Sequence, residues 1–313
     1  MTDREKLDKL RWRTNQKSEN IVFYSYKMSE HDHINDHEFK RLKHSIASLR
    51  EFNNEISVYL FCDKPNLVPD HFKSEYSIKL RPFVQGFDHS MLSAWSIHRW
   101  YNLKSFEGRD CNILYVDSDT IFYGDVAYLF EHYNYAEVFG REEFGFRHDP
   151  NVGGGRNIRK ALDYVDDCIV ESGGHYQIYK YCMGVMLFNK GVHLGIVDRL
   201  GELVELMCKI RNGTIPYPVP NPRIVDEYAM WVILSRMGVY GALFGPQDVT
   251  QGYVEQKHQE FFNPIVLHYT TKGEQQLAQD EERFSNLLRD VDEFSEQIDP
   301  YSVFDFPGGG GGP

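Results

Sequence analysis

The chain has 313 residues, with 34 basic against 46 acidic side chains, a formal net charge of −12, and 42% hydrophobic content. That acidic excess, with no basic stripe interleaved with aromatics, argues against a nucleic-acid partner, because duplex binding rests on Lys and Arg neutralising phosphate. The apolar content is enough for one large domain or two smaller ones and excludes a chain that is disordered throughout.

Residues 1–19 are densely charged where a signal peptide needs an apolar run, and no stretch of about 18 apolar residues occurs, so neither a secretory leader nor a transmembrane segment is expected. The five cysteines are odd in number and form no CxxC pair, which suits free thiols in a reducing, cytoplasmic setting.

The first apolar run, residues 21–26 (IVFYSY), reads as a strand. Phe39, Leu42, Ile46, Leu49 and Phe52 then recur at three- and four-residue spacing, which predicts an amphipathic helix. A second strand at 56–61 (ISVYLF) runs into Asp63 and is stopped by Pro65. Residues 78–83 read as a third strand, 91–106 as an aromatic-rich helix, and 112–116 (NILYV) as a strand delivering Asp117, Ser118 and Asp119. Alternation of this kind marks an α/β sheet protein.

Residues 142–181 differ in kind: the triple glycine at 153–155, the pair at 173–174 and many polar aromatics mark a loop-rich insertion or lid. Strand character resumes at 183–189, and Ile196, Val197, Leu200, Leu203, Val204 and Met207 predict one helix face. A proline-rich loop at 216–222 precedes a helix beginning near Asp226, and a last strand covers 265–268. The organisation expected is a charged segment (1–19), a single catalytic domain (20–274), an acidic amphipathic helix (275–300) and a low-complexity tail (301–313).

Ligand sites of open α/β sheets lie at the carboxyl edge of the strands. Asp117 and Asp119 stand at such an edge and, in extended backbone, point the same way, so both can reach one divalent cation. His268, also at a strand end, is the natural third ligand. Two carboxylates and an imidazole suit Mn²⁺ better than Mg²⁺, which prefers an all-oxygen shell. A cation there would stabilise negative charge developing on a departing group such as a phosphate. Tyr24 or Tyr26 at the end of the first strand, and Asp63 at the end of the second, occupy the same edge, where a ligand with an aromatic ring could stack on a tyrosine.

The segment ILYVDSDTIFYGDVAYLF resembles the Asp-x-Asp strand of nucleotide-sugar glycosyltransferases of the GT-A fold, most closely family eight. Three further blocks follow in that family's order: YCMGVMLFNKG (181–191), IVDEYAM (224–230) and VLHYTTKGE (266–274). The resemblance implies a Rossmann-like mixed sheet flanked by helices, a UDP-sugar donor, Mn²⁺ or Mg²⁺, and retention at the anomeric carbon. It also implies donor contacts from Arg99, Ser118 and Lys272, and a catalytic Asp226–Glu227 pair beside the anomeric carbon, where a carboxylate stabilises an oxocarbenium-like state or attacks it. Cys182 stands where the family has Asn, Glu227 where it has Gln, and Tyr228 where it has a second Asp. Lys272 follows His268 by four residues instead of six. No motif names the acceptor, whether saccharide, protein or small molecule, since acceptor pockets are built from variable loops.

The same Asp-x-Asp pattern is similar to the haloacid-dehalogenase phosphatase signature, in which Asp117 is the nucleophile and Asp166–Asp167 a later metal pair. That signature normally lies on the first strand, and here more than a hundred residues precede it. A sugar-nucleotide-binding module without turnover is the remaining alternative, suggested by Cys182 and Tyr228.

Overall fold

The computed structural model describes residues 18–28, 37–84, 94–142, 156–171, 181–212, 225–245, 247–251 and 264–268. The charged segment up to residue 17, the 216–222 loop, Lys272, the 275–300 helix and the tail lie outside the described residues.

The chain opens with β1 (Glu19–Tyr26), α1 (His37–Phe52), β2 (Ser57–Cys62), α2 (Asp70–Glu75) and β3 (Ile78–Pro82). Next come α3 (Ala94–Tyr101), a 3₁₀ turn (Asn102–Phe106), β4 (Cys111–Val116), β5 (Thr120–Phe122), α4 (Ala127–His132) and β6 (Val138–Glu142). The remainder is α5 (Arg156–Glu171), β7 (Tyr181–Phe188), α6 (Val192–Asp198), α7 (Leu200–Asn212), α8 (Val225–Met237), β8 (Gly241–Leu243), β9 (Val249–Gln251) and β10 (Val266–His268).

Seven strands form a mixed sheet in the order β3-β2-β1-β4-β7-β6-β8. The half built of β3, β2, β1 and β4 is parallel. β7 runs antiparallel to both β4 and β6. Strand side chains alternate between two cores, as the two-residue period requires. Ile21, Phe23, Tyr59, Phe61, Ile113 and Tyr115 pack under α3 and α5–α8, whereas Val22, Tyr24, Val58, Leu60, Leu114 and Val116 pack under α1, α2 and α4. Burying each such large apolar side chain contributes about 1.5–3 kcal/mol. The edge strand β3 is blunted by Lys79, Arg81 and Pro82, which discourage further pairing.

β5, β10 and β9 make a separate three-stranded sheet, with β10 antiparallel to β5 and parallel to β9. The link between Val116 and Thr120 therefore joins the large sheet to the small one, and Asp117 and Asp119 occupy that link. α8 is buried along nearly all of its length, which is why its sequence is apolar on every side and lacks a polar stripe.

Two expectations are corrected here. The single helix read through residues 196–207 is two, α6 and α7, interrupted at Arg199, whose backbone leaves helical geometry. The segment read as loop-rich contains the sixteen-residue helix α5, which packs on α8 through Val165 and its neighbours. Ile158, Leu162, Val165 and Ile169 carried that helical period in the sequence, outweighed by the glycines on either side. Residues 143–155 and 172–180 lie outside the described residues.

Candidate metal and donor site

Asp117, Asp119 and His268 converge at the carboxyl end of β4, their ligand atoms all within 4.8 Å of one another. His268 Nε2 lies 3.3 Å from Asp119 Oδ1 and 3.9 Å from Asp117 Oδ2. Ligands about 2.1 Å from a shared ion and at right angles to each other stand about 3 Å apart, so the donor set has the spacing and the hard-oxygen-plus-imidazole chemistry of a divalent-cation site.

The backbone around the first aspartate is pinned from both sides. Asp117 N donates to Gly184 O of β7 at 2.8 Å, and Thr120 Oγ1 donates to Asp117 O at 2.9 Å. Thr120 is tied in turn to Ser45 of α1 at 2.7 Å, and Ser45 to the Tyr24 hydroxyl at 3.0 Å. Tyr24 is thus an interior strut beneath the aspartates, 1% exposed, and not a base-stacking platform as expected. Tyr26, also buried, packs its ring against Phe39 of α1, with centroids 5.9 Å apart. Asp63 accepts the backbone N–H of Met28 at 2.9 Å, joining the carboxyl ends of β1 and β2. Ser118 is half-buried between the two aspartates.

One side of Asp117 is fully engaged. Its Oδ1 accepts from the Tyr115 hydroxyl and lies 3.5 Å from Arg99 Nη1, which leaves Oδ2 turned toward His268. Arg99, although on a helix, is buried rather than displayed on its surface. Its Nε donates to Asp226 Oδ2 at 2.8 Å, and Trp100 Nε1 donates to the same oxygen at 3.2 Å. Asp226 is wholly buried, and its Oδ1 has no partner among the described residues. Glu227, half-buried on the next position, accepts the Met183 N–H at 3.5 Å.

Burial pushes the Asp226 carboxyl up to about 6, against the pull of the Arg99 guanidinium. Burial likewise raises Asp117, with Arg99 opposing and the Asp119 charge adding to the rise. Burial alone would lower Arg99, but Asp226, Tyr115 and Asp117 together hold it well above its ordinary value. The site is therefore anionic, desolvated and only partly neutralised, a setting that favours an added cation.

Sequence reading missed Tyr115, Trp100, Thr120 and Gly184. Tyr115 was readable, since a residue two before Asp117 in a strand shares its face. The Trp100–Asp226 bond joins residues 126 positions apart and leaves no local signal. The phosphatase alternative is not supported: Asp166 and Asp167 are exposed on α5, and the Asp-x-Asp strand is the fourth, at the middle of the sheet. Among the described residues no helix is long and apolar enough to cross a membrane.

No family model matches the sequence, and no curated protein matches it. Solved structures do match. A galactosyltransferase, LgtC, in complex with donor and acceptor sugar analogues, superposes over 86% of this chain and 95% of its own, with TM-score 0.52 at 12% identity. Mouse xyloside xylosyltransferase 1 in its apo form covers 82% of this chain and 99% of its own, with TM-score 0.51 at 11% identity. Together with the mixed seven-stranded sheet and its flanking helices, these likenesses establish that the chain has the GT-A glycosyltransferase fold.

Proposed function

We propose that the protein is a metal-dependent glycosyltransferase that takes a sugar from a nucleotide diphosphate donor, a UDP-hexose, and passes it with retention to an acceptor hydroxyl. The observation that carries this reading is the convergence of Asp117, Asp119 and His268 at the carboxyl edge of β4 within a GT-A fold. Those three residues would hold the cation, Mn²⁺ in preference to Mg²⁺, which when bound supplies positive charge for the departing diphosphate.

The chain's own residues have separable tasks in this reading. Tyr115 and Arg99 hold Asp117 Oδ1 so that Oδ2 stays turned toward the ligand cluster. Asp226 Oδ1, buried and unpartnered among the described residues, is an acceptor for a donor-sugar hydroxyl. Glu227 is tethered at one oxygen by Met183 N–H, and its charge stabilises positive character developing at the anomeric carbon. Asp63 and Tyr26 mark the β1–β2 edge for the nucleotide, and Lys272, outside the described residues, is assigned to the diphosphate.

Thermal shift against a panel of nucleotide sugars, with and without Mn²⁺, tests the donor, because a ligand that binds only the folded state raises apparent stability. Asp119→Ala is expected to abolish Mn²⁺-dependent donor binding while circular dichroism stays native; wild-type binding by that variant overturns the site. Glu227→Gln is expected to lower kcat by about 10- to 100-fold with donor affinity unchanged, as loss of an interaction made chiefly in the transition state requires. Turnover of p-nitrophenyl phosphate without sugar-nucleotide binding would favour a phosphatase, and donor binding without any UDP release a non-catalytic module.

A further inference from the structure

His268 has two ring nitrogens, and they face different groups. Nε2 looks toward Asp119 and Asp117, at 3.3 and 3.9 Å. Nδ1 lies 3.7 Å from Cys182 Sγ, within the range of a sulfur hydrogen bond. Cys182 is itself buried, and it sits on β7 two residues before Gly184, so both face the imidazole from one side of the strand. Gly184 is in the tightest contact with the ring: a Cβ at that position would stand 2.1 Å from His268 Cε1. The ring is thus pressed against bare backbone, and the Cys182 side chain meets its rear nitrogen.

A histidine that binds a cation through Nε2 needs a lone pair there, and in neutral imidazole the proton then resides on Nδ1. That N–H needs an acceptor if the ring is to keep its tautomer and direction. We propose that Cys182 is a positioning residue: its sulfur accepts the Nδ1–H of His268 and so holds the tautomer and ring orientation that turn Nε2 toward the Asp117–Asp119 pair. The inference rests on the metal-site reading above and goes beyond it, since it gives a role to a cysteine at a position where the resembling family carries Asn. The donation crosses from β10 of the small sheet to β7 of the large one, so the orientation of the nitrogen ligand is set by the sheet that does not carry it.

The test uses the full-length protein. Mn²⁺ affinity is read from the EPR signal of free Mn²⁺. Pulsed EPR of the Cu²⁺-substituted protein then reads the quadrupole coupling of the remote ring nitrogen, which responds to the hydrogen bond at Nδ1. Cys182→Ala is expected to weaken Mn²⁺ binding about 10-fold and to shift that coupling. Cys182→Ser, which keeps an acceptor of similar size, is expected to stay within about 3-fold of wild type and to restore the coupling. Melting temperatures of the metal-free variants verify that both fold. Wild-type affinity and unchanged coupling in Cys182→Ala overturn the inference while leaving the metal site in place. Equal weakening in both variants with unchanged coupling also overturns it, because that pattern is loss of packing. Absence of Mn²⁺ binding by the wild type, or of any nitrogen coupling that His268→Ala removes, overturns the metal reading and the inference with it.

Discussion

Among the buried arginines of the described residues, Arg50 at 7% exposure and Arg99 at 3% live in opposite surroundings. Arg50, at the end of α1, donates to four backbone carbonyls, those of Tyr76, Asn53, Ile56 and Ser77, at 2.7 to 3.4 Å. Among the described residues it pairs with no carboxylate. Arg99 bridges two carboxylates, Asp226 and Asp117. The consequence appears in their protonation: burial lowers Arg50, whereas carboxylates outweigh burial and raise Arg99. Carbonyl dipoles satisfy a guanidinium's geometry and clamp chain ends together. Clustered carboxylates create instead a charge balance that an added cation would alter.

The contrast breaks most visibly at Arg99. Arg99→Met leaves Asp226 fully buried and Asp117 short of a cation, and stability is expected to fall by about 3–5 kcal/mol, read by urea denaturation. An unchanged midpoint would mean that the two carboxylates do not depend on the Arg99 charge.

Asp226 sharpens the comparison through pH. Its folded value, about 6, lies above the ordinary 3.8, so between about pH 4 and 6 the folded chain retains a proton that the unfolded chain has released. Its contribution to stability therefore declines as pH rises across that window and levels off above it, by about 2–3 kcal/mol. Denaturation at pH 4 and pH 6.5 should show Asp226→Asn lacking that part of the decline; identical pH profiles would place the charge elsewhere.

The smallest effect is expected at the other arginine. Arg50→Met removes hydrogen bonds to carbonyls but strands no charge, so a loss of about 2 kcal/mol is anticipated, with Mn²⁺ affinity as in wild type. Reduced affinity in that variant would tie the α1 end to the site and blur the distinction.

The distribution of these parts explains what the sequence disclosed. Asp117 and Asp119 were legible because an apolar strand running into paired carboxylates is a local pattern, and His268 because it ends a strand of the same kind. The parallel half of the large sheet was legible through its alternating helices and strands. β5, β8 and β9 were not, since three residues hold too little of a two-residue period to register, and β10, equally short, was read because the 266–274 block marked it. The pairing of Arg99 with Asp226 was not legible, because a helix arginine and a helix-start carboxylate each have a bland local explanation. Only their 2.8 Å contact, across 127 positions of sequence, separates these residues from a surface pair and a simple helix terminus. Asp166 and Asp167 illustrate the converse, a carboxylate pair conspicuous in sequence but spent on an exposed helix face.

The small sheet has a further consequence for how the molecule opens. Its three strands are three residues each, and β10 is held by short pairings to β5 and β9. Segments of that size open locally at far lower free energy than a seven-stranded core. Because the Asp117–Asp119 link belongs to the seam and His268 to β10, an ion shared among them, as proposed above, would have to leave before β10 could swing away. At a metal concentration a hundredfold above its dissociation constant, that linkage would add about 2.7 kcal/mol to the opening. The least stable part of the sheet system would thus acquire a resistance to fraying that tracks the supply of metal, while the strands of the large sheet keep theirs from the packed core.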